Sequence, residues 1–247
     1  MVIFPGTNSE EETRRLLCDV GLHAEIVHWS LSDRLASYDA FVLPGGFAYE
    51  DRIRAGAIAA HDRAMDGVIE GAQAGKLVLG ICNGAQVLLE AGLVPGTGAL
   101  RRPTAAFTKN AQRMFVCRHV YVKLVIDPQR CAITAALEPG TILPAWAAHG
   151  EGRLAASQER LDEVVRGDHL AFVYADATGA TGEGTVPNGS ALGCAALVNR
   201  AGNVLAIMPH PERDAWNFNH LGRGAGADPL SPSGGARLFE SFAAALR

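Results

Sequence analysis

Short apolar segments alternate with stretches of helical periodicity through the first hundred residues of the chain. The apolar segments predict strands, and the periodic stretches predict helices that each stop at a glycine. The strands are Val2–Phe4, Glu25–Trp29, Ala40–Leu43 and Leu77–Ile81, and the helices are Glu10–Val20 behind a capping box at Ser9, Ile53–Ala74 and Ala85–Ala91. Leu77–Ile81 is apolar throughout, which is typical of a parallel strand that is covered on both faces.

The second half of the chain has a different pattern. Polar and apolar residues alternate over Arg113–Ile126, as they do in an exposed or antiparallel strand. Further strands are predicted at Leu170–Tyr174, Gly193–Asn199 and Val204–Met208, with a hairpin turn over residues 200–203 and a closing amphipathic helix over Gly235–Leu246.

Together these elements predict an α/β fold. We expect a flavodoxin-like three-layer sandwich with a mostly parallel sheet and an antiparallel extension. The 247 residues contain no repeat and no linker-like composition, so the simplest organisation is a single domain over residues 1–247. Two stretches rich in glycine and proline, Thr178–Ser190 and Gly222–Gly235, are predicted to be surface loops.

Charge and cysteine usage exclude several classes of function. The net charge is −4 and no basic run occurs, so neither nucleic acid nor a membrane surface is a predicted partner. The five cysteines lack a C-x-x-C pair and the histidines lack metal-ligand spacing, so we predict no disulfide and no metal site. Four cysteines, among them Cys18 and Cys194, are expected to pack as small buried side chains. Since no signal peptide or membrane span is evident, a cytoplasmic location is expected.

The sharpest chemical feature is the G-x-C-x-G pattern around Cys82. An apolar strand runs into Gly80-Ile81-Cys82-Asn83-Gly84, and a helix follows. This is the cysteine form of the nucleophile elbow, in which a tight turn requires small residues two positions either side of the nucleophile. The N-terminus of the following helix favours a thiolate over a thiol. The alternative is a structural buried cysteine at a strand end.

A second feature, the H-x-E pattern of His210 and Glu212, follows a predicted strand. Residues two apart in an extended segment point to the same side, and Pro211 restricts the backbone between them. The carboxylate can therefore hold the imidazole in one tautomer, as a general base for a thiol requires. The alternative is a solvated pair on a surface loop.

The segment Pro44-Gly45-Gly46 ends the strand that precedes the cysteine strand. Acyl transfer needs donors aimed at a developing oxyanion, and the backbone N–H groups of Gly46 and Asn83 are the candidates. The alternative is a plain strand-ending turn. All three features fall at strand ends, where a doubly wound sheet places its ligands, and their order along the chain favours the joint interpretation.

These motifs and three others identify a family. The chain resembles class I, triad-type glutamine amidotransferases over nearly its whole length, and within them it is similar to the glutaminase subunit of phosphoribosylformylglycinamidine synthase. The matching segments are Pro5-Gly6-Thr7-Asn8, Pro44-Gly45-Gly46-Phe47-Ala48-Tyr49, Gly80-Ile81-Cys82-Asn83-Gly84-Ala85-Gln86, His149-Gly150-Glu151-Gly152, Pro187-Asn188-Gly189-Ser190 and Met208-Pro209-His210-Pro211-Glu212-Arg213.

The resemblance implies a role for each part of the site. It makes Cys82 the nucleophile on the side-chain amide of glutamine, His210 the acid–base group and Glu212 the group that orients His210. It also implies that Gly46 and Asn83 form the oxyanion hole.

By the same resemblance, Gln86 lies in the glutamine pocket and this chain needs no cofactor. The expected partners are glutamine and a large synthetase subunit that uses ATP and Mg to make formylglycinamidine ribonucleotide, often with a small bridging subunit. His149 has an open role, either at the glutamine site or in a structural loop.

One residue departs from the family pattern. Family members often have Tyr-Gly-Asp where this chain has Tyr49-Glu50-Asp51, and glycine permits backbone shapes that glutamate adopts only at a cost. Two other functions stay open: a glutaminase or γ-glutamyl hydrolase that serves another pathway, and a non-catalytic binding module on the same scaffold.

Overall fold

A computed structural model describes residues 1–221, 224 and 226–247 of the chain. Residues 222, 223 and 225 belong to the predicted surface loop 222–235, and that part of the prediction lies outside the described residues.

Eleven strands and five α-helices follow one another along the described part of the chain. They are β1 (Val2–Ile3), α1 (Glu10–Asp19), β2 (Val27–His28), β3 (Ala40–Leu43), α2 (Ala64–Gln73), β4 (Leu77–Ile81), α3 (Asn83–Glu90), β5 (Ala106–Lys109), β6 (Val116–Leu124), β7 (Ile142–His149), β8 (Glu151–Ala155), α4 (Gln158–Arg166), β9 (Leu170–Ala175), β10 (Cys194–Val198), β11 (Val204–Ile207) and α5 (Ala236–Ala244). The predicted α/β class is thus confirmed. Within the described ranges, no helix combines the length and apolar character needed to cross a membrane.

Seven strands form the main sheet, in the order β3-β4-β11-β10-β9-β6-β7. The strands β3, β4 and β11 run parallel to one another, whereas the other neighbours pair antiparallel. Antiparallel pairings therefore outnumber parallel ones, and the expectation of a mostly parallel sheet is wrong. The turn over residues 200–203 makes β11 antiparallel to β10, and β9, β6 and β7 continue the sheet with antiparallel pairs. The three-layer, flavodoxin-like form stays a prediction.

The core lies along the central strands of the main sheet. Every residue of β4, β10 and β11 is buried, which agrees with their unbroken apolar sequences. Since the carboxyl ends of β3, β4 and β11 meet at one edge, the segments that follow these three strands are brought together.

Two helix predictions need correction. The helix predicted over Ile53–Ala74 begins only at Ala64, because Ile53 and Gly56 both adopt positive φ and Gly56 packs against the backbone of α3. Helix α1 forms as predicted, but the Ser9 side chain does not cap it. The Ser9 hydroxyl instead accepts a hydrogen bond from Arg213 at 2.7 Å, so the capping box is wrong.

Other differences concern single residues and missed elements. All five cysteines are free, but Cys18 and Cys117 are exposed, so only two of the four that were expected to pack as buried side chains, Cys131 and Cys194, do so. The chain pattern also missed four elements, namely β5, β7, β8 and α4. Two of these, β7 and β8, flank Gly150; β7 is mostly apolar instead of alternating, and β8 is only five residues long.

Candidate active site

Cys82 occupies a strained turn between β4 and α3. Its backbone has φ 52° and ψ −107°, which is unusual for a residue with a side chain. A side chain on Gly80 would lie 2.7 Å from the Gly84 carbonyl oxygen, and one on Gly84 would collide with the backbone of Leu43. The two glycines that the elbow pattern requires are thus needed for steric reasons.

His210 and Glu212 form a buried pair beyond the end of β11. The imidazole Nδ1 lies 2.5 Å from Glu212 Oε1, and both side chains are almost fully buried. Two backbone hydrogen bonds with Trp146 of β7, of 2.8 Å and 3.1 Å, hold the His210 backbone extended. The alternative of a solvated surface pair is therefore excluded by burial.

The cysteine and the histidine meet beside Gly45. A Cβ added to Gly45 would lie 2.5 Å from His210 Cε1 and 3.4 Å from Cys82 Cβ. Only glycine leaves room there for both side chains. The thiol also lies 3.8 Å from the carbonyl oxygen of Ala148, at the end of β7.

The charges around His210 favour its protonated form. Burial alone lowers the pKa of this imidazole, but the negative charges of Glu212 and Cys82 outweigh burial and raise the pKa to about 10. A protonated imidazole next to a thiolate can stabilise that thiolate and later donate its proton.

The two candidate oxyanion donors both lie next to this pair. Gly46 follows β3, and Asn83 is the first residue of α3. In the described part of the chain, neither backbone N–H has a hydrogen-bond acceptor. Gly46 packs so closely on Gly6 and Thr7 that a Cβ on Gly46 would lie 2.6 Å from both residues. The Pro5-Gly6-Thr7-Asn8 segment thus supports the turn at Pro44-Gly45-Gly46.

The Asn83 side chain connects the elbow to neighbouring segments. Its Oδ1 accepts from the backbone N–H of Ala48 at 2.9 Å, and its Nδ2 donates to Asp51 at 3.0 Å and to Gln86 at 2.9 Å. Gln86 in turn donates to the carbonyl oxygen of Glu151, so its buried side chain is fixed between two segments. Burial and the Glu151 carboxylate raise the pKa of Asp51 to about 6, although the hydrogen bond from Asn83 opposes this.

His149 is buried against the same site. Its Nε2 accepts from Asn188 Nδ2 at 3.0 Å, and Asn188 also donates to the Gly152 carbonyl oxygen at 2.8 Å. Burial, followed by the charge of His210, lowers the pKa of His149 to about 4. Within the described residues its Nδ1 has no hydrogen-bond partner.

The structure thus gathers all six residues singled out from the sequence at one sheet edge. They are Cys82, His210, Glu212, Gly46, Asn83 and Gln86. The sequence did not predict that Asp51, Glu151 and Asn188 hold this site together. Their contacts join parts of the chain that are far apart, so the one available signal was their position inside or beside the matching segments. Chemically, a buried thiol, an imidazole–carboxylate pair and two free N–H donors suit acyl transfer.

Comparison with known proteins gives a consistent result. Residues 1–244 match the family model described as the CobB/CobQ-like glutamine amidotransferase domain. Phosphoribosylformylglycinamidine synthase subunit PurQ of Symbiobacterium thermophilum is 42% identical over 214 residues, which are 86% of each chain. The PurQ subunit of Chlorobaculum parvum is 38% identical over 247 residues, which are 100% of this chain and 89% of that protein.

Solved structures agree with the sequence relatives. The structure of PurLQS from Thermotoga maritima matches with a TM-score of 0.78 and 28% identity, over 100% of this chain and 97% of that one. A putative GMP synthase protein of Thermoplasma acidophilum matches with a TM-score of 0.56 and 17% identity, over 99% of this chain and 92% of that one, and so shares the fold.

Proposed function

The chain belongs to the family of CobB/CobQ-like glutamine amidotransferase domains, and we propose that it is the glutaminase subunit of phosphoribosylformylglycinamidine synthase. In this role it hydrolyses glutamine and supplies ammonia for formylglycinamidine ribonucleotide synthesis in purine biosynthesis. The observation that carries the proposal is the meeting of Cys82 with the buried His210–Glu212 pair beside Gly45. A non-catalytic binding module has no need for this pair, since burying charged groups is costly.

The reaction proceeds through a thioester. The Cys82 sulfur, as a thiolate whose proton is held on His210, attacks the side-chain carbonyl carbon of glutamine. The tetrahedral intermediate collapses as the C–N bond breaks, and His210 returns the proton so that ammonia leaves. Water, deprotonated by the now neutral His210, then attacks the thioester carbon, and the C–S bond breaks to release glutamate and restore the Cys82 thiolate beside protonated His210. Glu212 fixes the imidazole and stabilises its protonated form throughout.

The remaining site residues stabilise the oxyanion and bind glutamine. The free N–H groups of Gly46 and Asn83 are assigned to the oxyanion, and losing one such donor typically costs about 3 kcal/mol of transition-state stabilisation. Gln86 is assigned to the wall of the glutamine pocket. No step requires a cofactor in this chain, while ATP and Mg are assigned to the synthetase partner.

Exposed apolar side chains around the site support the assembly with that partner. Phe47, Ile53, Met114 and Phe115 are between 47% and 91% exposed. Phe47 follows Gly46 directly, and Phe115 lies 3.8 Å from the position of a Cβ on Gly150. Apolar groups gathered around a reactive site are typical of a surface that another protein covers. We assign this surface to the large synthetase subunit, with a small bridging subunit completing the complex.

The Cys82→Ala variant tests the proposal. In the complex with the synthetase it should abolish glutamine-dependent synthesis, while synthesis from added ammonia continues, because the synthetase chemistry needs no thiol. Both rates are measured by product formation, and Cys117→Ala, at an exposed cysteine, is the matched control. Loss of both activities in Cys82→Ala would indicate a scaffolding role, and transfer of ammonia only to a synthetase of another pathway would overturn the pathway assignment.

A further inference from the structure

A second cluster of chemically active side chains lies beyond the catalytic pair. His119 of β6 places its Nε2 2.6 Å from Asp214 Oδ2, and His220 places its Nδ1 2.8 Å from Asp214 Oδ1. Asp214 lies in the helical turn that begins just after His210. Because 95 residues separate His119 from Asp214, no ligand spacing along the chain reveals the cluster.

The cluster is largely buried. The Asp214 side chain is fully buried, whereas those of His119 and His220 are 11% and 19% exposed. The Ser233 hydroxyl donates to Asp214 Oδ1 at 2.8 Å, so a fourth polar side chain lies beside the group. The two rings are therefore partly in contact with solvent.

The donor set is one that metal ions use. One atom from each of His119, Asp214 and His220 can be chosen so that all three lie within 4.8 Å of one another. Two imidazoles and one carboxylate suit Zn²⁺ and neighbouring transition metals, whereas Mg²⁺ and Ca²⁺ prefer oxygen alone. Ligand atoms at about 2.1 Å from a tetrahedral ion lie roughly 3.4 Å apart, so small side-chain shifts suffice.

We propose that His119, Asp214 and His220 form a binding site for a divalent transition metal ion, with Zn²⁺ as the reference ligand. Both rings bind as neutral imidazoles, through Nε2 of His119 and Nδ1 of His220, with the proton on the other ring nitrogen. The ion joins three segments, namely strand β6, the turn after the catalytic pair, and the segment that carries His220. Its role is to fasten these segments together.

Zinc titration of the full-length chain, stripped of metal with a chelator, tests the proposal. Calorimetry should find one Zn²⁺ per chain. His119→Gln and His220→Gln should each weaken Zn²⁺ binding by more than about tenfold. Removing even a side chain that only hydrogen-bonds to a metal ligand weakens metal binding by about that factor. His23→Gln changes a histidine whose side chain is 88% exposed and is the control that should bind as the parent does.

Two further measurements separate this site from the catalytic one. First, Cys82→Ser should retain Zn²⁺ binding. Second, Co²⁺ is added in place of Zn²⁺: Cys82→Ser should show the visible absorption of tetrahedral Co²⁺, and His220→Gln should not. Circular dichroism checks that both histidine variants fold. The proposal is overturned if no stoichiometric binding occurs, if binding survives both histidine substitutions, or if it disappears in Cys82→Ser. The cluster would then be a hydrogen-bonded network around Asp214 alone.

Discussion

Cys82 shows how one residue concentrates strain and reactivity. Its positive φ costs on the order of 1–3 kcal/mol, and the close packing of Gly84 on Gly80 and Leu43 holds the turn in this shape. The same turn places the thiol at the N-terminus of α3 and against His210. The sequence could predict the turn because the glycine spacing follows directly from sterics.

His149 shows a different effect of burial on a single residue. It is kept neutral in the fold, since its Nε2 accepts from Asn188 and protonation would remove that acceptor. Its pKa is lowered to about 4, whereas an unfolded histidine titrates near 6.5. Between these values the unfolded chain binds more protons, so the free energy of unfolding rises with pH.

Replacing His149 by glutamine tests this coupling. In the parent protein, the buried His149 imidazole should lower the free energy of unfolding by about 3 kcal/mol as the pH falls from 6.5 through 4. His149→Gln keeps an acceptor for Asn188 but does not titrate, so its stability should fall less over that range. Urea unfolding at several pH values measures the difference, and His23→Gln is the exposed control. An unchanged slope in His149→Gln would contradict the assigned burial effect.

At the scale of elements, the segment that follows Phe47 is the most strained part of the described chain. Tyr49, Glu50, Asp51 and Ile53 all have positive φ, between 52° and 72°. Glu50 stands where the family pattern has glycine, and the expected backbone cost is visible, since its φ is 60° and its ψ 23°. Because Asn83 bonds both Ala48 and Asp51, this segment is coupled to the elbow.

Two substitutions at Glu50 separate backbone strain from side-chain contacts. Glu50→Gly should be more stable than Glu50→Ala by about 1 kcal/mol, because alanine keeps the left-handed penalty and glycine removes it. Glu50→Ala should match the parent, since the side-chain ion pair with Arg52 is exposed. Free energies of unfolding in urea give both values. Equal stability of the two variants would show that the segment relaxes without strain.

The sequence predicted well those elements whose hydrophobic pattern along the chain agrees with their burial in the fold. Strands β3 and β4 match their predicted limits because unbroken apolar runs are buried on both faces. Helix α2 was predicted too long because Gly56 and Ile53 turn the chain by tertiary contacts that helical periodicity does not record. The strands around Gly150 were missed since their pairing with distant segments, not their local pattern, makes them strands.

On the scale of the whole molecule, strand order assembles the site. Gly46, Cys82 and His210 follow β3, β4 and β11, which are neighbours in the parallel part of the sheet. The sequence could place each motif at a strand end, but not the adjacency of β4 and β11. The contacts of Asn83 with Asp51 and the meeting of His119 with Asp214 likewise depend on the complete fold.

The exposed apolar surface leads to a prediction about assembly. Ile53→Glu should weaken binding to the synthetase subunit by more than about tenfold, because a charge would be buried in an apolar contact. The fold should be unaffected, since Ile53 is 91% exposed. Analytical ultracentrifugation of the mixed subunits measures binding, and Val165→Glu, at an exposed position of α4, is the control. Equal binding by both variants would place the partner elsewhere.

The most direct test is to trap the acyl-enzyme. The chain, assembled with its synthetase partner, is mixed with glutamine and quenched in acid, and peptides are analysed by mass spectrometry. We predict one glutamyl group on the peptide that contains Cys82, sensitive to hydroxylamine as a thioester is, and none in Cys82→Ala. Turnover of glutamine with no adduct at Cys82, or with an adduct at another cysteine, would contradict the account.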